Sequence, residues 1–216
     1  MITTQKHPTA AWRALAKGMR FHADNLKPHR FTLPGSITKA SVLLDHPIYF
    51  VKLQHLLSNK GLRYAKAVTW RYFLRTSKGR KVGVAEVNMT KPTGYAFASF
   101  SASNEVKKHY ALLRSMIDHD SRPDSYSLRV VRVSSLRILA VWLRSKSGRK
   151  DLVIPLGNTT DRLKDGEVYS RQEFEAALHE EAKARNAVID QSILARTLRG
   201  NDRARGLPEH SRRKAI

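Results

Sequence analysis

The sequence predicts an α+β fold: one antiparallel sheet built from two basic-tipped β-hairpin/helix units, helices on one side, with an N-terminal amphipathic helix and a basic C-terminal tail. Three observations predict it. The segment Phe73-Leu74-Arg75-Thr76-Ser77-Lys78-Gly79-Arg80-Lys81 returns 69 positions later as Trp142-Leu143-Arg144-Ser145-Lys146-Ser147-Gly148-Arg149-Lys150. The hydrophobic period around each copy switches between 2, the mark of a strand, and 3.6, the mark of a helix. In each copy a Gly sits between apolar runs, where a short hairpin loop needs a positive φ, and the flanking Arg and Lys must face water or an anion.

Along the chain, Trp12, Leu15, Ala16 and Met19 lie opposite Arg13, Lys17 and Arg20 on a helix, and Lys27-Pro28-His29 and Leu33-Pro34-Gly35-Ser36 end it. Pro47 suits the first turn of a second helix running to about Asn59, with Tyr49, Phe50, Leu53, Leu56 and Leu57 on its apolar face. Val68, Trp70, Tyr72 and Leu74 then alternate with Thr69, Arg71, Phe73 and Arg75, and Val82 and Val84 return toward Asn88 as the first hairpin. Lys91-Pro92-Thr93-Gly94 leads into a strand from Tyr95 to Ser101. Ser103-Asn104-Glu105 opens a helix to about Ile117 that buries Val106, Tyr110, Leu113 and Ile117. Asp118 to Asp124 is a polar loop. Ser127 to Leu143 reads as one long extended segment entering the second tip, with Leu152 to Leu156 as its return. Ser170-Arg171-Gln172-Glu173 fits a capping box for a helix to about Arg185 that buries Phe174, Ala177, Leu178 and Ala182.

These elements divide the chain into an N-terminal amphipathic arm (1–30), a single α+β domain (31–186) and a basic, flexible tail (187–216). The chain carries 40 Lys plus Arg against 18 Asp plus Glu, a formal charge of +22. Residues 1–150 hold 28 basic and 7 acidic residues, 151–181 hold 3 and 8, and 182–216 hold 9 and 3. With 41% hydrophobic residues the chain is too apolar for a disordered polycation, and such a charge speaks of association with a polyanion. The lack of Cys excludes disulfides and thiolate chemistry and fits a reducing, cytoplasmic setting. The acid-poor first 24 residues also suit an organelle presequence. No apolar run reaches the roughly 20 residues of a membrane span.

The first function expected is non-catalytic binding of nucleic acid, RNA or single-stranded DNA, with Arg75, Lys78, Arg80, Lys81, Arg144, Lys146, Arg149 and Lys150 gripping phosphates. From Ser125 to Lys150 there are seven basic residues and no acid. Thr93-Gly94-Tyr95-Ala96-Phe97-Ala98-Ser99-Phe100 resembles the RNP1 octamer of the RNA-recognition motif in its Gly, Tyr, Ala, Phe and final Phe. Thr93 replaces the basic residue of that octamer and Ala98 its branched aliphatic. The likeness ends with these eight residues, because a hairpin occupies the place of the family's helix. It implies that Tyr95 and Phe97 stack on bases.

Two other functions fit the same chain. One is a structural or cargo protein of a ribonucleoprotein, virion or secretion apparatus, its basic arms on acidic protein partners. The other is a metal- or histidine-dependent nuclease, for which Asp118, His119 and Asp120 in one loop, or Glu105 and His109 one helical turn apart, are the catalytic candidates. No Gly-rich phosphate loop, nucleophile elbow or zinc spacing is present, so no cofactor or metal is expected.

Overall fold

The computed structural model describes residues 1–25, 42–75, 82–90, 94–119, 125–157 and 160–205. In chain order the elements are β1 (Ile2–Thr3), α1 (Thr9–Asn25), β2 (Val42–Phe50), α2 (Leu53–Leu57), β3 (Lys66–Arg75), β4 (Val82–Thr90), β5 (Gly94–Ser101), α3 (Asn104–Asp118), β6 (Tyr126–Val133), β7 (Ile138–Ser145), β8 (Leu152–Pro155), β9 (Tyr169–Ser170) and α4 (Arg171–Arg205). Short 3-10 turns occupy Gly61–Tyr64 and Ser134–Leu136. The strands form one open sheet in the order β5-β4-β3-β2-β6-β7-β8-β9, with β1 also against β6. The α+β class holds, but the sheet is mixed, since β2 and β1 both run parallel to β6.

Two differences from the sequence reading create that topology. The helix expected from Pro47 is instead the end of β2, in register with Trp70, and only Leu53–Leu57 turns helical. Pro47 is tolerated in the strand because the ladder to β6 begins only at Ile48. The long segment Ser127–Leu143 is not one strand. Ser134–Arg137 reverses it into an antiparallel pair that brings Ser145 back beside Tyr126. No Gly marks this turn; Arg137 itself takes the left-handed conformation, φ 58°.

Helices cover both faces, correcting the one-sided expectation. On one face Ala11, Leu15 and Met19 of α1 pack on Trp70, Tyr72, Leu74, Ala85 and Val87. On the same face Phe174, Leu178 and Ala182 of α4, with Leu56 of α2, cover Val131, Val133, Ala140, Trp142 and Val153. The alternate side chains turn the other way: Val106 and Leu113 of α3 pack on Phe73, Val84, Leu128, Val141 and Leu143. The repeated positions therefore exchange faces, Phe73 lying under α3 and Trp142 under α4. The two halves fan outward from the parallel β2–β6 pair, and a two-fold axis along the strands swaps the sides of a sheet.

The N-terminal segment expected as a separate arm is built into this domain. β1 joins the sheet beside Tyr126, and α1 docks so closely that a Cβ on Gly18 would lie within 2.2 Å of Phe97. At the other end α4 runs on through Arg205, well beyond Arg185, while residues 206–216 of the expected tail lie outside the described residues. Among the described residues, no helix is long and apolar enough to cross a membrane.

Candidate nucleic-acid interface

The second basic turn is a braced structure. β7 and β8 pair through Leu143 and Leu152, and between them Gly148 takes φ 68°, the conformation that a hairpin turn demands of glycine. Behind the turn Asp151 is almost wholly buried. Its Oδ1 accepts hydrogen bonds from the Ser145 amide at 2.9 Å and the Ser145 hydroxyl at 3.1 Å, and its Oδ2 accepts from Trp142 Nε1 at 3.0 Å. This carboxylate fixes both strand ends, while Arg144, Lys146, Arg149 and Lys150 project from them exposed. Arg144, Lys146 and Arg149 make no ion pair among the described residues. The sequence reading missed Asp151; the only signal was that the repeat breaks there, with Val82 in the equivalent place.

The first turn is closed by the pairing of Arg75 with Val82. Arg75 is exposed at the end of β3; Lys78, Arg80 and Lys81 lie outside the described residues. β3 and β7 run in the same direction, because each is antiparallel to one member of the parallel β2–β6 pair. Arg75 and Arg144 consequently leave the sheet at the same end. Three strand spacings separate β3 from β7, or about 14 Å.

The acid-free run from Ser125 to Lys150 is less uniformly uncompensated than its sequence implies. Arg129 lies between the rings of Tyr49 and Trp142, 4.6 and 5.0 Å from their centroids, and burial lowers its pKa. Arg132 pairs with Glu86 of β4 at 2.7 Å. Of the basic residues this run displays to solvent, four stand at the second turn and Arg137 stands at the opposite end of the sheet. Tyr95 and Phe97 are half-buried and pack against α1 on the face that α1 covers. Among the described residues, they are not brought together with the basic turn residues at one site.

Among the catalytic candidates, Asp118 pairs with Arg114 at 2.7 Å within α3, and His119 Nδ1 lies 3.1 Å from the Ser115 carbonyl at the helix end. Asp120 lies outside the described residues. Glu105 is held low in pKa by its own backbone N–H and the Ser103 hydroxyl, at the helix start. His109 is half-buried, and burial followed by the charge of Arg71 lowers its pKa. No group of three His, Asp or Glu able to hold a metal is present among the described residues. The sequence reading named His109 but not Arg71, whose charge acts on it, nor Glu86 and Arg132, which join Arg71 through one carboxylate; the three come from β3, β4 and β6. No protein-family model matches the chain, and comparison with curated proteins and with solved structures finds no match.

Proposed function

We propose that the protein binds RNA or single-stranded DNA without catalysis, gripping phosphates with the basic residues at one end of its sheet. The observation that carries this reading is the shared direction of β3 and β7, which lead into the two basic turns. Arg144, Lys146 and Arg149 stand exposed at one of them, and the +22 net charge favours association with any polyanion. A single strand crossing about 14 Å between the two turns would meet several phosphates. Neutralising about six to eight of them would make affinity roughly a thousandfold weaker at physiological than at low salt.

The test is a salt-titrated gel shift of the full chain with RNA, single-stranded DNA and duplex DNA. Replacing Arg80, Lys81, Arg149 and Lys150 by Ala should lower the slope of log affinity against log salt by about one for each phosphate no longer gripped. Tight binding that ignores salt, or an unchanged slope in the variant, would overturn the reading.

A second reading, a component of a larger assembly, is favoured by α4. Beyond Ala182 the helix continues for about 35 Å, and residues 183–192 are mostly exposed. Nuclease-treated protein that still elutes as a salt-sensitive complex with acidic protein would favour this reading over the first.

A further inference from the structure

We propose that the sheet face under α3 holds a second anion site, separate from the basic turns, in which Arg71, Arg132 and His109 receive a phosphoryl group. The strand registers set His46 opposite Arg71, Arg71 opposite Glu86 and Glu86 opposite Ser99, a polar row across β2, β3, β4 and β5. Arg71 is only 9% exposed; its Nε donates to Glu86 Oε1 at 3.0 Å. Arg132 donates to the same carboxylate at 2.7 and 3.3 Å. Two guanidiniums on one carboxylate leave a local excess of one positive charge, and a buried excess is costly unless an anion meets it.

The shape of the face fits that role. Arg132 stands on β6 and Glu86 on β4, three strand spacings apart, about 14 Å on a flat sheet, and their backbones are also offset along the strands. Arg and Glu side chains reach one another over such a span only where the sheet curls, so this face is concave. Ser99 of β5 and Asn88 of β4 are exposed on it, and Arg132 of β6 keeps 34% of its side chain accessible.

A second observation points to a missing partner. His46 is completely buried beside Arg71, its ring 5.8 Å from that of Phe73, and neither of its ring nitrogens has a hydrogen-bond partner. Buried polar atoms are nearly always satisfied. His109 of α3 feels the charge of Arg71, with Asp165 and Glu105 opposing it, and its Nε2 lies 3.5 Å from where a Cβ on Gly157 would stand. Gly157 is tied down in turn, its amide donating to Asp165 Oδ1 at 2.7 Å. With both forks turned to Glu86, Arg71 Nη1 and Arg132 Nε keep N–H donors to give, and single donors from two directions with an imidazole from a third suit a tetrahedral oxyanion better than a second planar carboxylate, which asks for a whole fork.

The site stands whether or not the basic turns bind nucleic acid. Thermal unfolding of the full chain, titrated with inorganic phosphate at constant ionic strength, should show a saturable rise in Tm, and the phosphate 31P line should broaden. R132Q should weaken the midpoint at least tenfold, and R132K, which keeps the charge but loses the fork, should weaken it as well. H46F should weaken it too, whereas R149A/K150A should retain the saturable response. A nucleoside 5′-monophosphate, and oligonucleotides with and without a terminal phosphate, compared in the same assay, identify which phosphoryl group is preferred. A rise of equal size in wild type, R132Q and R132K would be general salting-out and would overturn the proposal. An H46F chain that responds to phosphate as wild type does would overturn the proposal as well.

Discussion

Asp151 shows how a single buried atom pair can organise a surface. Replacing it with Ala leaves the Trp142 Nε1 and the Ser145 amide without their partner, and the expected loss is about 2–3 kcal/mol of stability, measured by urea unfolding. The same variant should also weaken nucleic-acid binding, because the turn that displays Arg149 and Lys150 loses its brace. His46 makes a pH prediction. Burial, followed by the charge of Arg71, pushes its pKa from 6.5 down to about 3. Above pH 6.5 both folded and unfolded chains hold it neutral, and its contribution is complete. As pH falls from 6.5 toward 3 the unfolded chain takes up a proton that the folded chain refuses, so stability drops by about 1.4 kcal/mol per pH unit. Urea midpoints at pH 7, 6 and 5 should fall accordingly in wild type and fall less in His46→Leu. Neither role was legible in the sequence, where Asp151 is one acid after a basic run and His46 one imidazole before Pro47. Both depend on what the strand registers set opposite them.

Elements with end signals of their own were legible. The capping box at the start of α4 closes reciprocally, Ser170 N donating to Glu173 Oε2 at 2.8 Å and Glu173 N to Ser170 Oγ at 3.2 Å. Ser103 caps α3 by accepting from the Val106 amide at 3.3 Å. Replacing Ser170 and Glu173 together by Ala should lower stability by about 1 kcal/mol, read from the thermal transition by circular dichroism. The docking of α1 gives a sharper test, because two effects oppose one another. Gly18→Ala favours the isolated helix by roughly 1 kcal/mol, but the new methyl collides with Phe97. Overpacking of this kind costs about 1–3 kcal/mol, so the variant should be destabilised, and Phe97→Ala, which removes the Cγ and Cδ2 that the methyl strikes, should shrink the penalty of Gly18→Ala. An N-terminal helix that did not dock would be stabilised instead. What the sequence hid were elements without local signals: β1 with two residues, β2 carrying a proline, and a turn made at an arginine.

At the scale of the molecule, the likeness of the two hairpins was readable as a repeat, yet its geometric meaning was not. Period and spacing told that each unit is strand, turn, strand and helix. They carried nothing about how two units join, and the parallel β2–β6 seam is what places their helices on opposite faces. The candidate interface was legible to the same extent: the basic turns stand out in sequence, while the relation between them is a product of topology. The reversal at Ser134–Arg137 fixes that relation. Fully extended, the 17 residues from Ser127 to Leu143 would span about 56 Å and carry the second turn to the far pole. Folded back, they set both basic turns at one end of the sheet, while Lys52, Lys60, Arg63, Lys66 and Arg137 stand exposed at the other. A particle with cations at both ends lies along an anionic body or bridges two of them; one charged at a single end would stand on it end-on.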